Sequence, residues 1–257
     1  SNPGFKLNLD VLLRGVYGAV FGDIFMRCVY RMRPYEKEPG SVNACHRKWV
    51  ETCKAFVKSK HPGFPKFFRL CREIIEDFDA IPITDEIKPK VGIVGEILVK
   101  FAPAANNHLV DLLESEGAEA VVPDLLDFMF YCFYNQLYKA EHLGTSKKSA
   151  FTAKAGIKAM QWVRSGAAKA FEKSRHFHAP ARIDDIASYA APIVSIGNQT
   201  GEGWFLTGEM VELIKTGTSN IVCTQPFGCL PNHVVGKGVI KELRKRYPKS
   251  NIVAIDY

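Results

Sequence analysis

The segment NIVCTQPFGCLPNHVVGKGVIKELRKRYPKSNIVAIDY (220–257) contains two β-branched apolar runs separated by a helical pattern. The runs NIVCT (220–224) and NIVAIDY (251–257) have the length and the side chains of strands. Between them, NHVVGKGVIKELRKRY (232–247) has apolar residues at helical spacing, with Asn232 as candidate N-cap. Because two strands joined through a helix run parallel in one sheet, this segment predicts a βαβ unit.

A second βαβ unit is predicted from residue 90 onward. KVGIVGEILV (90–99) and EAVVP (119–123) are its strands. PAANNHLVDLLESEG (103–117) is its helix, with proline near the start and glycine at the end. Together the two units predict the fold class, an α/β domain with a parallel sheet of the Rossmann or flavodoxin-like type. Long helical patterns between the units predict a helical insertion at about 125–194.

Residues 1–88 differ from the rest of the chain, since helical patterns follow one another there without a strand. These patterns cover 8–32, 42–59 and 64–78, and glycine or proline residues separate them. The predicted domains are therefore a helical segment, 1–88, and an α/β domain with its helical insertion, 89–257. Because a predicted strand runs to the last residue, we expect the chain to be an excised part of a longer protein.

The composition is that of a globular protein, because 47% of the 257 residues are apolar and can form a core. The net charge is +7, from 34 Lys and Arg against 27 Asp and Glu. Part of this charge lies in KELRKRYPK (241–249), which is typical of the solvated face of a helix, although it would also attract nucleotides or CoA. No nucleic-acid-binding motif occurs, so we expect no nucleic-acid partner.

A membrane span is not expected either. The best apolar candidate, GVYGAVFGDIFM (15–26), is too short and contains Asp23. We therefore predict a cytoplasmic protein without a signal peptide, and the sequence leaves its oligomeric state open.

The chain has seven cysteines, whose odd number and scattered positions indicate free thiols or metal ligands rather than a disulfide framework. Cys28, Cys71 and Cys132 lie in apolar helical patterns, which predicts core packing. Cys223 and Cys229 are spaced C-x5-C, whereas zinc knuckles and thioredoxin-like redox pairs use tighter spacings. For Cys223 both packing and ligation stay open, while the prolines and the glycine around Cys229 favour a turn with an outward thiol.

Ligands of open parallel sheets bind beyond the carboxyl ends of the strands, and several candidate residues fall there. Cys223 ends one predicted strand, Cys229 lies in the loop after it, and Glu96 follows another strand. The turn SIGNQTGEGWFLTG (195–208) enters a helix, and a glycine-rich turn at a helix start can cradle phosphate. It lacks the ending of a P-loop, so a simple turn is the alternative. The candidate substrate-binding residues are Glu96 at this rim and Asn198, Gly201 and Glu202 in the glycine-rich turn.

Three longer segments carry a family resemblance. They are GEILVKFAPAANNHLV (95–110), GNQTGEGWFLTGEM (197–210) and CTQPFGCLPNHVVGKGVIKELRKRYPKSNIVAIDY (223–257). All three resemble the C-terminal part of acyl-CoA dehydratase activase-related proteins, which are akin to 2-hydroxyacyl-CoA dehydratases and benzoyl-CoA reductases. RPYEKEPGSVNACHRKW (33–49) fits the same region less specifically.

The resemblance implies an anaerobic radical system. In such a system an ATP-hydrolysing activase domain or subunit with a [4Fe–4S] cluster passes an electron to a dehydratase-like component that binds an acyl-CoA. The cysteine turn of the dehydratase-like component is similar to PFGCLP here, which makes Cys229 the implied metal ligand. Cys223 is a second cofactor-binding candidate that the resemblance supports less directly.

The chain departs from the family in lacking the ATPase signatures and the upstream cysteines that would complete a cluster. We therefore expect a dehydratase-like, iron–sulfur-bearing module that is incomplete and inactive by itself, and the sequence leaves open whether it is an enzyme. Two alternatives are a non-catalytic docking or scaffold module and an α/β domain that binds a small phosphate ligand through 197–204.

Overall fold

The computed structural model describes residues 8–257, which form two compact units. The helical unit contains the described residues up to Thr84 together with Ala159–Ala179. The α/β unit contains Asp85–Lys158 and Pro180–Tyr257. Among these described residues, no helix is both long enough and apolar enough to cross a membrane.

The elements are numbered in chain order, and short 3-10 turns occur at Arg33–Tyr35, Pro103–Ala105 and Lys237–Val239. The strands are β1 (Lys90–Gly95), β2 (Glu119–Val121), β3 (Asn220–Gln225) and β4 (Asn251–Asp256). The helices are α1 (Leu9–Met32), α2 (Ser41–Lys58), α3 (Phe64–Asp79), α4 (Ile97–Phe101), α5 (Leu109–Ser115), α6 (Leu125–His142), α7 (Lys147–Lys173), α8 (Ile183–Ala190), α9 (Gly203–Lys215), α10 (Leu230–Val235) and α11 (Ile240–Arg246).

The helical unit is built around aromatic rings from α1, α2 and α3. The rings of Tyr17 and Phe67 stack with their centroids 4.4 Å apart, and Phe21 and Phe56 contact the same pair. All four side chains are at most 2% exposed. Burying a side chain of this size contributes about 1.5–3 kcal/mol, so this cluster is a principal source of the unit's stability.

The second half of α7 belongs to the helical unit because it packs against α3. Gly166 lets the helices approach closely, since a Cβ there would lie 2.5 Å from Cδ1 of Phe68. At the end of α7, Asp79 accepts hydrogen bonds from the Ser174 hydroxyl at 2.8 Å and the His176 N–H at 3.1 Å. The sequence pattern placed 159–179 in an insertion of the α/β domain, whereas these contacts group it with the first three helices.

The α/β unit contains a four-stranded sheet in which every strand is parallel to its neighbours, in the order β2-β1-β3-β4. This confirms the predicted α/β class with a parallel sheet. In the register of the central strands, Val94 of β1 is opposite Cys223 of β3, which is opposite Ala254 of β4. From β1 the chain moves to one side of the sheet and from β3 to the other, so these two strands form the switch point of the topology. Open parallel sheets bind ligands in a crevice beyond the carboxyl ends of such strands, and the name crevice denotes that region of this unit.

The first strand ends earlier than the sequence pattern predicted. β1 stops at Gly95, whose φ is +142°, and the segment that was expected to continue the strand forms α4 instead. Glu96 caps this helix, because its side chain accepts a hydrogen bond from the N–H of Val99 at 2.9 Å. The cap turns the chain away from the sheet directly at the crevice.

We expect Gly95→Ala to disrupt the sheet, because a Cβ at this position would lie 1.8 Å from the carbonyl oxygen of Thr224. The free energy of unfolding, measured by chemical denaturation, should fall by about 3 kcal/mol or more. Gly117→Ala is the matched control, since its φ is +81° but its Cβ would meet nothing within 4 Å. It should cost about 1–2 kcal/mol from backbone strain alone. Equal effects of the two substitutions would contradict the close approach of β1 to β3.

Candidate functional site

Three loops meet at the carboxyl ends of β1 and β3. The Glu202 carboxylate, before α9, accepts a hydrogen bond from the N–H of Ile97 at 3.2 Å. Pro231, after β3, lies 3.1 Å from the place that a Cβ on Gly201 would occupy. The structure therefore brings Glu202 to the turn that follows β1 and Gly201 to the segment that follows β3. The rule for strand ends predicted Cys223, Cys229 and Glu96 at this rim and did not predict the glycine-rich turn there.

The side chain of Asn232 joins two of these loops through hydrogen bonds. With its amide oriented by the surrounding donors and acceptors, its nitrogen donates to Oε2 of Glu202 at 2.6 Å and its oxygen accepts from the N–H of Glu96 at 3.0 Å. Asn232 is completely buried. The prediction that it caps a helix is wrong, since α10 begins earlier and its N-cap is Cys229. Its amide instead holds the other two loops in place.

A buried ion pair lies behind the rim. Nζ of Lys100 is 2.7 Å from Oε1 of Glu209, and both side chains are at most 1% exposed. The lysine also faces the rings of Phe101 and Phe205 at 4.6 and 6.0 Å from their centroids. Burial raises the pKa of Glu209, and the nearby lysine opposes this shift. Sequence reasoning missed this pair because its members are 109 residues apart.

Glu202 is the other acidic group of the site with a shifted pKa. Burial raises the pKa of its carboxyl, and the neighbouring carboxylate of Glu96 raises it further. A carboxyl with a raised pKa is closer to the range in which it can exchange a proton near neutral pH. Of the four candidate substrate-binding residues, Glu202 therefore has the electrostatic environment best suited to acid–base chemistry.

The two thiols of the C-x5-C stretch lie in different environments. Cys223 is completely buried in the core, where its Sγ is 3.0 Å from the place of a Cβ on Gly236. Burial raises the pKa of Cys223 to about 12, so this thiol stays protonated. Cys229 is partly exposed at the mouth of the crevice, and its carbonyl oxygen accepts the N–H of His233 at 3.0 Å. Packing therefore accounts for Cys223, while the thiol of Cys229 is accessible from the rim.

The glycine-rich turn before α9 bonds to itself. The N–H of Trp204 donates to the carbonyl of Asn198 at 2.8 Å, and the Asn198 amide donates to the carbonyl of Ser195 at 3.0 Å. Gly203 adopts a φ of +49°, and a Cβ there would lie 2.5 Å from the Tyr131 hydroxyl. These glycines thus serve a tight turn, and the Trp204 N–H is not available to a phosphate.

A polar cluster at the ends of β3 and β4 was not foreseen from the sequence. The Gln225 amide donates to the carboxylate of Asp256 at 2.5 Å and lies 3.4 Å from Nε2 of His233. Nδ1 of the same imidazole lies 2.8 Å from the carbonyl of Cys229, so Nδ1 carries a hydrogen. This contact links the cluster to the cysteine turn. No sequence pattern predicts it, because these polar residues belong to separate strands and loops.

The cysteines of the α/β unit do not by themselves complete an iron–sulfur site. Such clusters usually take three or four thiolates, and the described part of this unit has Cys132, Cys223 and Cys229. Cys223 is enclosed in the core. The prediction of core packing for Cys132 is wrong, because Cys132 is exposed on α6. Within residues 8–257, no group of three or more His, Cys, Asp or Glu side chains is arranged to hold a metal ion.

Comparisons with protein-family models, with curated proteins and with solved structures found no match to this chain.

The Lys100–Glu209 pair should be required for stability. We expect Lys100→Met to lower the free energy of unfolding by about 3–5 kcal/mol, because it leaves a buried carboxyl without its partner. The loss should be smallest near pH 4 and should grow as pH rises above the unfolded-state glutamate pKa of about 4.3, because Glu209 then ionises in the unfolded chain but stays protonated in its buried site. The growth should level off above the raised pKa of Glu209 in the folded variant, where the unpaired carboxylate is buried in its charged form.

The double variant Lys100→Met/Glu209→Gln is the control for this experiment. It removes both charges and should recover a large part of the lost stability and most of the added pH dependence. Denaturation curves between pH 4 and pH 8 measure both effects. A double variant as unstable as Lys100→Met at every pH would contradict the pairing.

The two thiols of the rim should differ in reactivity. In native protein, a thiol reagent such as 5,5′-dithiobis-(2-nitrobenzoate) should label Cys229 and leave Cys223 unmodified until denaturant is added, because the latter is buried with a pKa of about 12. The variant Cys229→Ser should therefore lose one fast-reacting thiol, and Cys223→Ser should lose none. Equal labelling rates for the two cysteines would show that the core around Cys223 is open.

Proposed function

We propose that this chain is a dehydratase-like module of an ATP-driven acyl-CoA system related to the 2-hydroxyacyl-CoA dehydratases. In this proposal Cys229 is one ligand of an iron–sulfur cluster whose other ligands lie outside the described residues. The observation that carries the proposal is the position of Cys229, a partly exposed residue at the N-cap of α10 directly beyond β3, on the side where parallel α/β sheets bind ligands.

We also propose a Rossmann or flavodoxin-like class for the α/β unit. The strand order β2-β1-β3-β4 equals the first four positions of the flavodoxin-like order, in which the ligand lies between the first and third strands. We therefore place the α/β unit in the Rossmann or flavodoxin-like class, with the helices between β2 and β3 as an elaboration.

The acyl-CoA is proposed to reach the crevice beside Cys229. Glu202 and Glu96 lie on the turns before α9 and after β1, and the buried amide of Asn232 joins these turns by bonding the Glu202 carboxylate and the Glu96 N–H. The Glu96 carboxylate is held separately, by its cap bond from the N–H of Val99. The raised pKa of Glu202 suits it to hold a proton next to a bound thioester. Asn198 and Gly201 shape the turn that carries Glu202.

A docking or scaffold module is the competing function, in which the chain couples the ATP-hydrolysing activase to a partner without chemistry of its own. The observation that favours it is the single accessible thiol at the rim, together with the exposed side chains of Phe227 and Leu230 in the same loop. Apolar side chains in such positions are typical of surfaces that contact another protein.

The test is anaerobic reconstitution with ferrous iron and sulfide of the longest natural polypeptide that contains this chain. We expect Cys229→Ala to lose most of the bound iron and the visible sulfide-to-iron absorbance, because a cluster that lacks one of its few thiolates is poorly retained. Cys132→Ala is the matched control, since it removes an exposed thiol of the same unit far from the proposed ligand in sequence.

Iron content and spectra that are unchanged in Cys229→Ala would remove Cys229 from the ligand set. If that polypeptide binds no iron at all and still binds the activase, the docking function replaces the dehydratase-like one.

A further inference from the structure

The helical unit contains a cleft of about 500 Å³ between α3 and the second half of α7. Its lining includes the apolar residues Pro65, Phe68 and Ala170. The volume falls in the range of small-molecule sites, which are lined mainly by apolar side chains with a few polar groups. The cleft is formed entirely by residues of one unit and has no part in the site at the sheet.

Both walls of the cleft carry positive charge. Arg69 and Arg72 stand on α3, and Lys169 and Lys173 stand on α7. Two carboxylates, those of Glu76 and Asp79, also line the cleft, and both belong to α3. The lining therefore contains four cationic side chains and two carboxylates.

The two carboxylates are already engaged. Asp79 accepts hydrogen bonds from the Ser174 hydroxyl and from the backbone N–H groups of Arg175 and His176. Its carboxylate is therefore already bonded to the turn that follows α7. Glu76 lies 3.6 Å from Nε of Arg72, but both side chains are more than half exposed, and such a pair is weak. Nε of Arg69 likewise lies 3.9 Å from Oε1 of Glu73 on its own helix, in an exposed pair that is also weak. With four cations and two carboxylates, the lining still carries an excess of positive charge.

The lysines on α7 have no compensating partner. Among the residues that the structure describes, neither Lys169 nor Lys173 has a carboxylate oxygen within 4.0 Å. The two are four positions apart on one helix face, where like charges destabilise a helix by some tenths of a kcal/mol. Proteins retain such unfavourable local charge pairs mainly at functional sites, so the two lysines indicate a binding site.

We propose that this cleft binds a nucleoside diphosphate. The two arginines suit the phosphate oxygens, since guanidinium groups bind them through paired hydrogen bonds, and the lysines supply further charge. In this proposal the base and ribose lie against the apolar part of the lining, beside Phe68. The same chemistry is present in a free nucleotide and in the adenosine diphosphate part of coenzyme A. The inference rests on the cleft and is independent of the function proposed for the sheet.

The test is isothermal titration calorimetry of the chain with ADP, with coenzyme A and with adenosine. We expect ADP or coenzyme A to bind, adenosine to bind at least about tenfold more weakly, and the affinity to fall with added salt because charged contacts are screened. Binding of coenzyme A alone identifies the cofactor as the source of the diphosphate, and equal binding of ADP identifies a free nucleotide as sufficient.

The decisive variant is Lys169→Ala/Lys173→Ala, which should weaken binding at least about tenfold while its melting temperature stays unchanged, since both side chains are exposed. The matched control is Lys147→Ala/Lys148→Ala, which removes the same charge from exposed positions at the other end of α7.

No binding of ADP or coenzyme A, equal weakening in the control, or adenosine binding as tight as ADP would each overturn the proposal. A short DNA duplex that binds equally well and is weakened equally by both double variants would also overturn it.

Discussion

The buried amide of Asn232 is the contact on which the geometry of the crevice depends. It bonds the Glu202 carboxylate and the backbone of Glu96 at once, and so it fixes the turn before α9 against the turn after β1. Because a buried amide that loses a partner carries a desolvation cost of about 1–3 kcal/mol, the loops cannot separate cheaply. Asn232 lies three residues after Cys229, in the first turn of the helix that Cys229 caps, so the position of Cys229 is coupled to the same network.

Beneath this network the α/β unit keeps charged groups inside its core. Lys100 and Glu209 neutralise each other among aromatic rings, and Glu202 lies between that pair and the surface with a raised pKa. Such groups are costly to bury, and ion pairs of this kind are not a source of stability by themselves. Their location directly behind a crevice at the sheet edge accords with a role in a site, where proteins accept such costs.

The helical unit shows a similar division between core and surface. Its interior is a cluster of aromatic rings, whereas the cleft beside Gly166 is lined by cations from both helices together with apolar side chains. The close approach of α3 and α7 at Phe68 creates this cleft, because packing two helices tightly at one point leaves space where they diverge. Part of the +7 net charge of the chain is therefore concentrated at this cleft.

Local pattern alone determined the parallel α/β class, the crevice at the strand ends and the turn that carries Cys229, because periodicity and turn residues act between close neighbours in sequence. It could not determine that Cys223 is enclosed while Cys229 is accessible, since burial depends on which helix covers the strand. Nor could it show that Lys100 meets Glu209, or that 159–179 packs with the first helices. Those contacts join residues far apart in the chain, and only tertiary packing brings them within reach.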